Sequence, residues 1–164
     1  MTFFPLTMAI IAPLSGYASD RIGPVILTTS GLLVTALGFF YLSTMTTTSL
    51  FWQIVPGPLL MGLGAGLFQS PNNSSVMSSV PPNKLGVAGG ISALVRNVGM
   101  VIGIAYSVSL FQNRESSLLA GVNNPTQLQQ VAAFVGAYHI VMLASMSIAL
   151  LAALISLNRK GYSA

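Results

Sequence analysis

The sequence has little charge and no cysteine. Its 164 residues include six lysines and arginines and two aspartates and glutamates, which together make up 5% of the chain. An ordinary soluble domain is about 25% charged. Because a solvated surface needs charge, this composition excludes a soluble globular domain and a disordered tail. The absence of cysteine excludes disulfides, thiol catalysis and cysteine metal sites.

The net charge of +4 does not indicate a nucleic-acid partner. Six basic residues scattered along the chain form no basic patch, so we expect no nucleic-acid binding. The sequence also lacks Gly-x-Ser-x-Gly, a His-x-x-x-His pair, a phosphate-binding loop and a metal-ligand cluster. We therefore expect no enzyme activity, no cofactor and no bound metal.

Apolar residues fill the chain instead, at 53% of the total and with a mean hydropathy of +0.78. A helix that crosses a bilayer core of about 30 Å needs about 20 mostly apolar residues. The sequence predicts an all-α membrane protein with about five such helices, separated by polar or proline-containing turns. Their approximate ranges are 3–18, 25–43, 50–80, 86–111 and 131–157.

The first of these ranges is too short to cross a bilayer, and we interpret it as the remainder of a truncated helix. A signal peptide is the alternative interpretation. No basic residue precedes its apolar stretch, and no small-residue cleavage site precedes the Asp20-Arg21 turn, as a signal peptide would require.

Basic residues predict the orientation in the membrane. Arg21, Lys84 and the Arg159-Lys160 tail fall on one side of the five helices, and Arg114 falls on the other, beside Glu115. Because cytoplasmic loops are enriched in lysine and arginine, we expect a cytoplasmic C-terminus and an external loop at 112–130. The expected location is the lipid bilayer of the cell membrane.

Glycines four residues apart indicate close helix packing, because they let two helix backbones approach each other when lipid supplies no hydrophobic drive. Such smooth faces also suit helices that slide or rock. Three pairs have this spacing: Gly62 with Gly66, Gly86 with Gly90, and Gly99 with Gly103.

Polar side chains cluster late in the third predicted span, around Pro71, where we expect a kink. Gln69, Asn72 and Asn73 have two interpretations. They lie at the inner membrane interface, or they line the cytoplasmic half of a solvated pathway, since amides at membrane depth are costly unless they face protein or water.

Arg96 is the only charged residue inside a predicted span, about one turn deep. It is either an interface anchor or a cavity residue, and Asn97 shares both interpretations. His139, the sole histidine, is an interfacial residue or a proton relay. No carboxylate falls within a predicted span, so any proton-coupling carboxylate belongs to another segment.

The turn Gly16-Tyr17-Ala18-Ser19-Asp20-Arg21-Ile22-Gly23 resembles the loop signature of the major facilitator superfamily, Gly-x-x-x-Asp-Arg-x-Gly. Pro24 and Val25 stand where basic residues commonly follow that signature. A further ordered series is similar to the late helices of fourteen-span drug–proton antiporters. It comprises Gly62–Gly66, Ser70–Asn73, Val80–Pro82, Gly86–Gly90 and Arg96–Gly99.

This resemblance implies part of the C-terminal half of such a carrier. The whole protein would export lipophilic drugs by alternating access driven by protons, and this piece alone would be inactive without the remaining N-terminal helices. Gly16, Asp20, Arg21 and Gly23 would form a cytoplasmic gating loop, although helix capping within the turn explains the same residues. The alternative function is a stand-alone membrane subunit for assembly or regulation that packs through its Gly-x-x-x-Gly faces.

Overall fold

A computed structural model describes residues 2–122 and 124–158; the Arg159-Lys160 tail lies outside them. The described residues form helices and turns without a strand, which confirms the all-α prediction. The α-helices are α1 (Phe3–Ile22), α2 (Pro24–Ser43), α3 (Phe51–Ile54), α4 (Pro56–Ser78), α5 (Leu85–Leu119) and α6 (Gln127–Leu157), and a 3-10 turn (Pro82–Lys84) precedes α5.

Within the described residues, four segments are long and apolar enough to cross a membrane. They are α2, α3 together with α4, the 3-10 turn together with α5, and α6. Helix α1 has the same 20-residue length as α2 but falls outside this set, because its second half is rich in polar residues. The four full spans that the sequence predicted correspond to these four segments, whereas the first range, which was expected to be too short to cross a bilayer, belongs to a helix of 20 residues.

Helix α1 continues four residues beyond the predicted 3–18 range. Asp20 and Arg21 therefore lie in its last turn and not in a loop. Gly23 alone separates α1 from α2, at φ +87°, and its amide donates to the Ser19 carbonyl at 3.0 Å. Pro24 then begins α2, because proline suits the first turn of a helix, where no amide donor is needed. The turn is this short because glycine tolerates a positive φ.

The third predicted span, 50–80, is two helices. Helix α3 ends at Ile54 and α4 begins at Pro56, since proline lacks the amide that would continue a helix. The Gln53 side chain caps α3 by accepting a hydrogen bond from the Leu50 amide at 2.9 Å. Helix α4 then runs through Pro71, which is fully buried, as one continuous element.

The predicted loop at 112–130 is mostly helical. Helix α5 continues to Leu119, because its good helix formers meet no breaker before Gly121, which has φ +84°. A capping box begins α6 at Gln127. The Thr126 amide donates to the Gln129 side chain at 2.9 Å, and the Gln129 amide donates back to the Thr126 hydroxyl at 3.4 Å. Glu115 therefore lies within a helix. At 35 residues, α5 is about 52 Å long and exceeds the bilayer core.

Helix α4 lies between α1 and α2, α2 also packs on α6, and α6 packs on α5. Glycines allow the closest approaches: a Cβ placed on Gly31 of α2 would lie 2.7 Å from the Gly64 carbonyl of α4. Buried hydroxyls join the helices at two points. Ser15 donates to the Gly66 carbonyl at 2.7 Å, and Thr29 donates to the Ser156 hydroxyl at 2.9 Å. By contrast, α5 contacts α4 over only a short length, which leaves space between them.

Candidate functional site

A groove of about 580 Å³ lies between the second half of α4 and the first half of α5. Its size is within the range of small-molecule sites. Both helices contribute polar and apolar side chains to it. The groove is lined by Phe68, Gln69, Asn72, Asn73, Val76, Val80, Ala88, Ile91, Ser92, Val95 and Arg96.

Helical spacing explains why these polar residues meet. Gln69, Asn72 and Asn73 are three and four residues apart on α4, so they share one face of that helix. Ser92 and Arg96 are four residues apart on α5 and share the face opposite. Four of the five residues that the sequence nominated for a cavity therefore line a single groove.

Asn97, the fifth, is exposed and does not line the groove. It follows Arg96 directly on a helix of 3.6 residues per turn, so its side chain projects about 100° away from that of Arg96. Sequence reasoning missed Ser92, and the four-residue spacing to Arg96 was the signal that would have found it. It also missed the apolar lining, such as Phe68 and Ile91, which nothing distinguishes from lipid-facing residues in the sequence alone.

The groove has one charge, and that charge is positive. Arg96 is exposed, and no carboxylate lines the groove among the described residues. The amides add both donors and acceptors, and the remaining lining is mostly apolar. Such an arrangement suits a molecule with an apolar body and oxygen acceptors that Arg96 can reach.

The glycine pairs separate into two groups. A Cβ on Gly62 would lie 2.6 Å from the Phe4 carbonyl, and one on Gly66 would lie 2.9 Å from the Ile11 Cβ, so this pair lies against α1. The other pairs are on α5, where a Cβ added to any of the four glycines would have no described atom within 4 Å. These open positions are Gly86, Gly90, Gly99 and Gly103.

The signature residues surround the end of α1. Gly16 approaches α4 so closely that a Cβ there would lie 2.8 Å from the Ser70 hydroxyl oxygen, next to the groove wall. Arg21 donates to the Tyr17 hydroxyl at 2.6 Å, and its guanidinium carbon lies 5.0 Å from the centre of the Tyr17 ring. Asp20 is exposed in the last turn, where the helix dipole disfavours a carboxylate. Side-chain capping of α2, the alternative for this turn, is not observed.

His139 lies away from the groove. Its Nε2 atom is 2.8 Å from the Met45 carbonyl oxygen, in the turn between α2 and α3. Because a carbonyl oxygen can only accept, Nε2 carries the hydrogen and donates it. This contact ties α6 to the turn.

Membrane-length helices, two of them separated by a groove lined with amides and an arginine, indicate a multi-pass membrane protein. The comparisons with known proteins agree: the family model of the Major Facilitator Superfamily matches residues 1–104. The chain belongs to this superfamily.

Among its curated relatives is the riboflavin transporter RibZ of Clostridioides difficile, which is 34% identical over 111 residues, 68% of this chain and 24% of the relative. The uncharacterized transporter YebQ of Escherichia coli is 35% identical over 114 residues, 70% of this chain and 25% of the relative. The multidrug efflux pump LfrA of Mycolicibacterium smegmatis is 27% identical over 107 residues, 63% of this chain and 21% of the relative. The chain spans about a quarter of the length of these relatives.

The family is one of membrane transporters, and its membrane-length helices make this chain a multi-pass membrane protein in a lipid bilayer. Because the relatives are transporters, the expectation that this chain is not an enzyme is confirmed.

Proposed function

We propose that this chain forms part of a proton-driven carrier that exports lipophilic drugs across the cell membrane by alternating access. The carrier is of the fourteen-span antiporter type, with its C-terminus in the cytoplasm. In this proposal the chain supplies one wall of the drug cavity and does not transport alone, since the remaining N-terminal helices supply the opposite wall. The similarity to a multidrug efflux pump and to a riboflavin transporter supports a small organic substrate.

The observation that carries the proposal is the groove between α4 and α5, where Gln69, Asn72 and Asn73 face Arg96. Polar groups at membrane depth are stable only against protein or water. Arg96 lies 11 residues after the start of α5, about 17 Å along its axis, and in this proposal it lies within the membrane. The positive charge favours drugs that carry carbonyl or anionic oxygens on an apolar body.

Proton coupling in this proposal depends on a carboxylate outside this chain. The chain has two, Asp20 and Glu115. Asp20 lies in the last turn of α1, and Glu115 is 19 residues beyond Arg96 on α5, about 28 Å along the helix axis. Neither carboxylate lines the groove. Asp20 and Arg21 instead form the cytoplasmic gating contact, with Tyr17 holding the guanidinium.

The absence of cysteine provides a direct test. We would introduce single cysteines at Asn73 in the groove and at Leu94, which is exposed on α5 outside the groove lining. Each variant in membranes would be treated with a charged, membrane-impermeant maleimide, and a parallel sample would be treated with the same reagent in the presence of riboflavin, whose carbonyl oxygens suit Arg96. We expect Asn73→Cys to react and a bound drug to protect it, while Leu94→Cys stays unreactive in lipid. Equal reactivity of the two cysteines would refute a solvated groove.

A second assay tests whether the chain acts alone. Everted vesicles that contain this chain as their only exporter should show no proton-driven ethidium transport. Transport in those vesicles, abolished by an uncoupler, would refute the proposed dependence on further helices.

A second candidate function follows from the open glycines of α5. Gly99 and Gly103 have no described atom within 4 Å of a Cβ position, so this face suits another helix at close range. A stand-alone subunit for assembly or regulation would use that face to hold a partner. Crosslinking from Gly103→Cys to a separate membrane protein that co-purifies in fixed ratio would favour this candidate.

A further inference from the structure

A second cavity lies between α5 and α6, at the end of α5 opposite the groove. It has a volume of about 340 Å³, and its walls include Val108, Phe111 and Gln112 of α5 and Tyr138 and Val141 of α6. The two sites are separate, since Glu115 of this cavity and Arg96 of the groove are about 28 Å apart along α5.

The charge of this cavity is opposite to that of the groove. Glu115 is half-buried and is the one charged residue among the lining residues. No ion pair of Glu115 is observed within residues 2–122 and 124–158. Its neighbour Arg114 is exposed and is not among the residues that line the cavity. A half-buried carboxylate without a cationic partner favours a cationic ligand.

Two aromatic rings strengthen this preference. Phe111 and Tyr138 line the same cavity as Glu115. The Phe111 ring is positioned by an edge contact with Phe134, whose ring centre lies 5.1 Å away. Aromatic faces attract cations through their electron-rich centre, most strongly when part of the water has been removed.

We propose that this cavity binds a small organic cation, such as a substituted ammonium ion, at a site distinct from the groove. The charged nitrogen pairs with Glu115 and faces the rings of Phe111 and Tyr138, and the apolar body lies on Val108 and Val141. Metal ions are a poor fit, because the lining offers a single carboxylate, and the one amide and two hydroxyls beside it are weak ligands for calcium or magnesium. Anions are disfavoured by Glu115. This site does not depend on drug binding in the groove.

The test uses the purified full chain in phosphatidylcholine nanodiscs, with empty nanodiscs as the blank. The probe is radiolabelled benzyltrimethylammonium, whose binding is measured by equilibrium dialysis, and benzenesulfonate serves as an anion of similar size. We expect saturable binding of the cation and none of the anion.

Three variants locate the site. Glu115→Gln keeps the shape of the side chain and removes its charge, so we expect about tenfold weaker binding. Tyr138→Leu should weaken binding about threefold, whereas Tyr138→Phe, which keeps the ring, should match the unmodified chain. Arg114→Gln is the matched control, since it removes a neighbouring charge outside the cavity; its binding should be equal or tighter.

Several results would overturn the proposal: no saturable binding of the cation, Glu115→Gln binding like the unmodified chain, or Arg114→Gln weakening as much as Glu115→Gln. If Arg96→Gln lost cation binding and Glu115→Gln kept it, the cation would be assigned to the groove, and the proposal would be refuted. Circular dichroism and size exclusion of each variant establish that it is folded before binding is compared. The maleimide reaction at Asn73 tests the groove independently of cation binding, so failure of the proposed function is distinguishable from failure of the proposed cation site.

Discussion

Replacing Gly31 by alanine should destabilise the contact between α2 and α4 specifically. A Cβ at this position would lie 2.7 Å from the Gly64 carbonyl oxygen and 2.8 Å from the Phe68 amide nitrogen, whereas ordinary contact begins at 3.4 Å. Both neighbours are helix backbone, which cannot rotate away as a side chain does. The two helices must therefore separate by about 0.7 Å at this point, which also moves Phe68 in the groove wall.

The expected cost combines two opposing effects. An inserted methyl group in a well-packed contact costs about 1–3 kcal/mol. Replacing glycine by alanine within a helix also stabilises the helix by about 1 kcal/mol, because alanine has the higher helix propensity. Gly99→Ala on α5 gains the same propensity without a clash, because no described atom lies within 4 Å of its Cβ position. The difference between the two variants therefore isolates the packing cost.

Thermal unfolding in detergent, followed by circular dichroism, measures that difference. A cost of 1 kcal/mol corresponds to a melting temperature lower by about 2–4 °C for a chain of this size. We expect Gly31→Ala to melt several degrees below Gly99→Ala. Equal melting temperatures, or a higher one for Gly31→Ala, would refute the close approach of α2 and α4.

Three further changes test contacts elsewhere in the fold. Ser156→Ala removes the hydroxyl that joins α6 to α2 and should cost about 0.6 kcal/mol of stability. Its control is Ser147→Ala, because the Ser147 hydroxyl bonds within its own helix, and this variant should melt within about 1 °C of the unmodified chain. A lower melting temperature for Ser147→Ala than for Ser156→Ala would contradict the hydrogen bond between α6 and α2. His139→Ala removes the donor to the Met45 carbonyl, so amide hydrogen exchange should accelerate in the α2–α3 turn, and unchanged exchange there would count against the contact. Thr126→Ala breaks the capping box at a cost of about 1 kcal/mol, seen as faster exchange in the first turn of α6 alone; exchange that rises evenly along α6 would argue against a cap.

The sequence was most informative where one physical effect dominates. Bilayer thickness and proline placement were enough to predict α2 within one residue of its start and α6 at its end. The groove residues of α4 could be nominated because amides in an apolar helix have few stable surroundings. Their meeting with Arg96 could not be predicted, since it depends on how α5 sits beside α4.

The helix boundaries that the sequence analysis placed wrongly are explained by short local patterns, which the polarity of the residues alone does not reveal. The stretch after Phe111 is polar but contains good helix formers, so α5 continues to Leu119. Thr126 and Gln129 had the spacing of a capping box, which is a sequence signal for a helix start. The pairing of Arg21 with Tyr17 is another recognisable signal, since side chains four residues apart meet on a helix. Polarity indicates depth in a membrane, whereas these shorter patterns indicate helix ends.

Helix α5 also shows why the groove needs further protein around it. None of its 35 residues is buried among the described residues, although it carries Arg96 on one face and open glycines at Gly86 and Gly90. Arg96 cannot face hydrocarbon, because its charge would lose hydration without a partner. The two helices provide two walls, so the remaining sides must be covered by protein or filled with water. The glycines beside the groove leave room for a close backbone approach, which favours a covering helix over lipid.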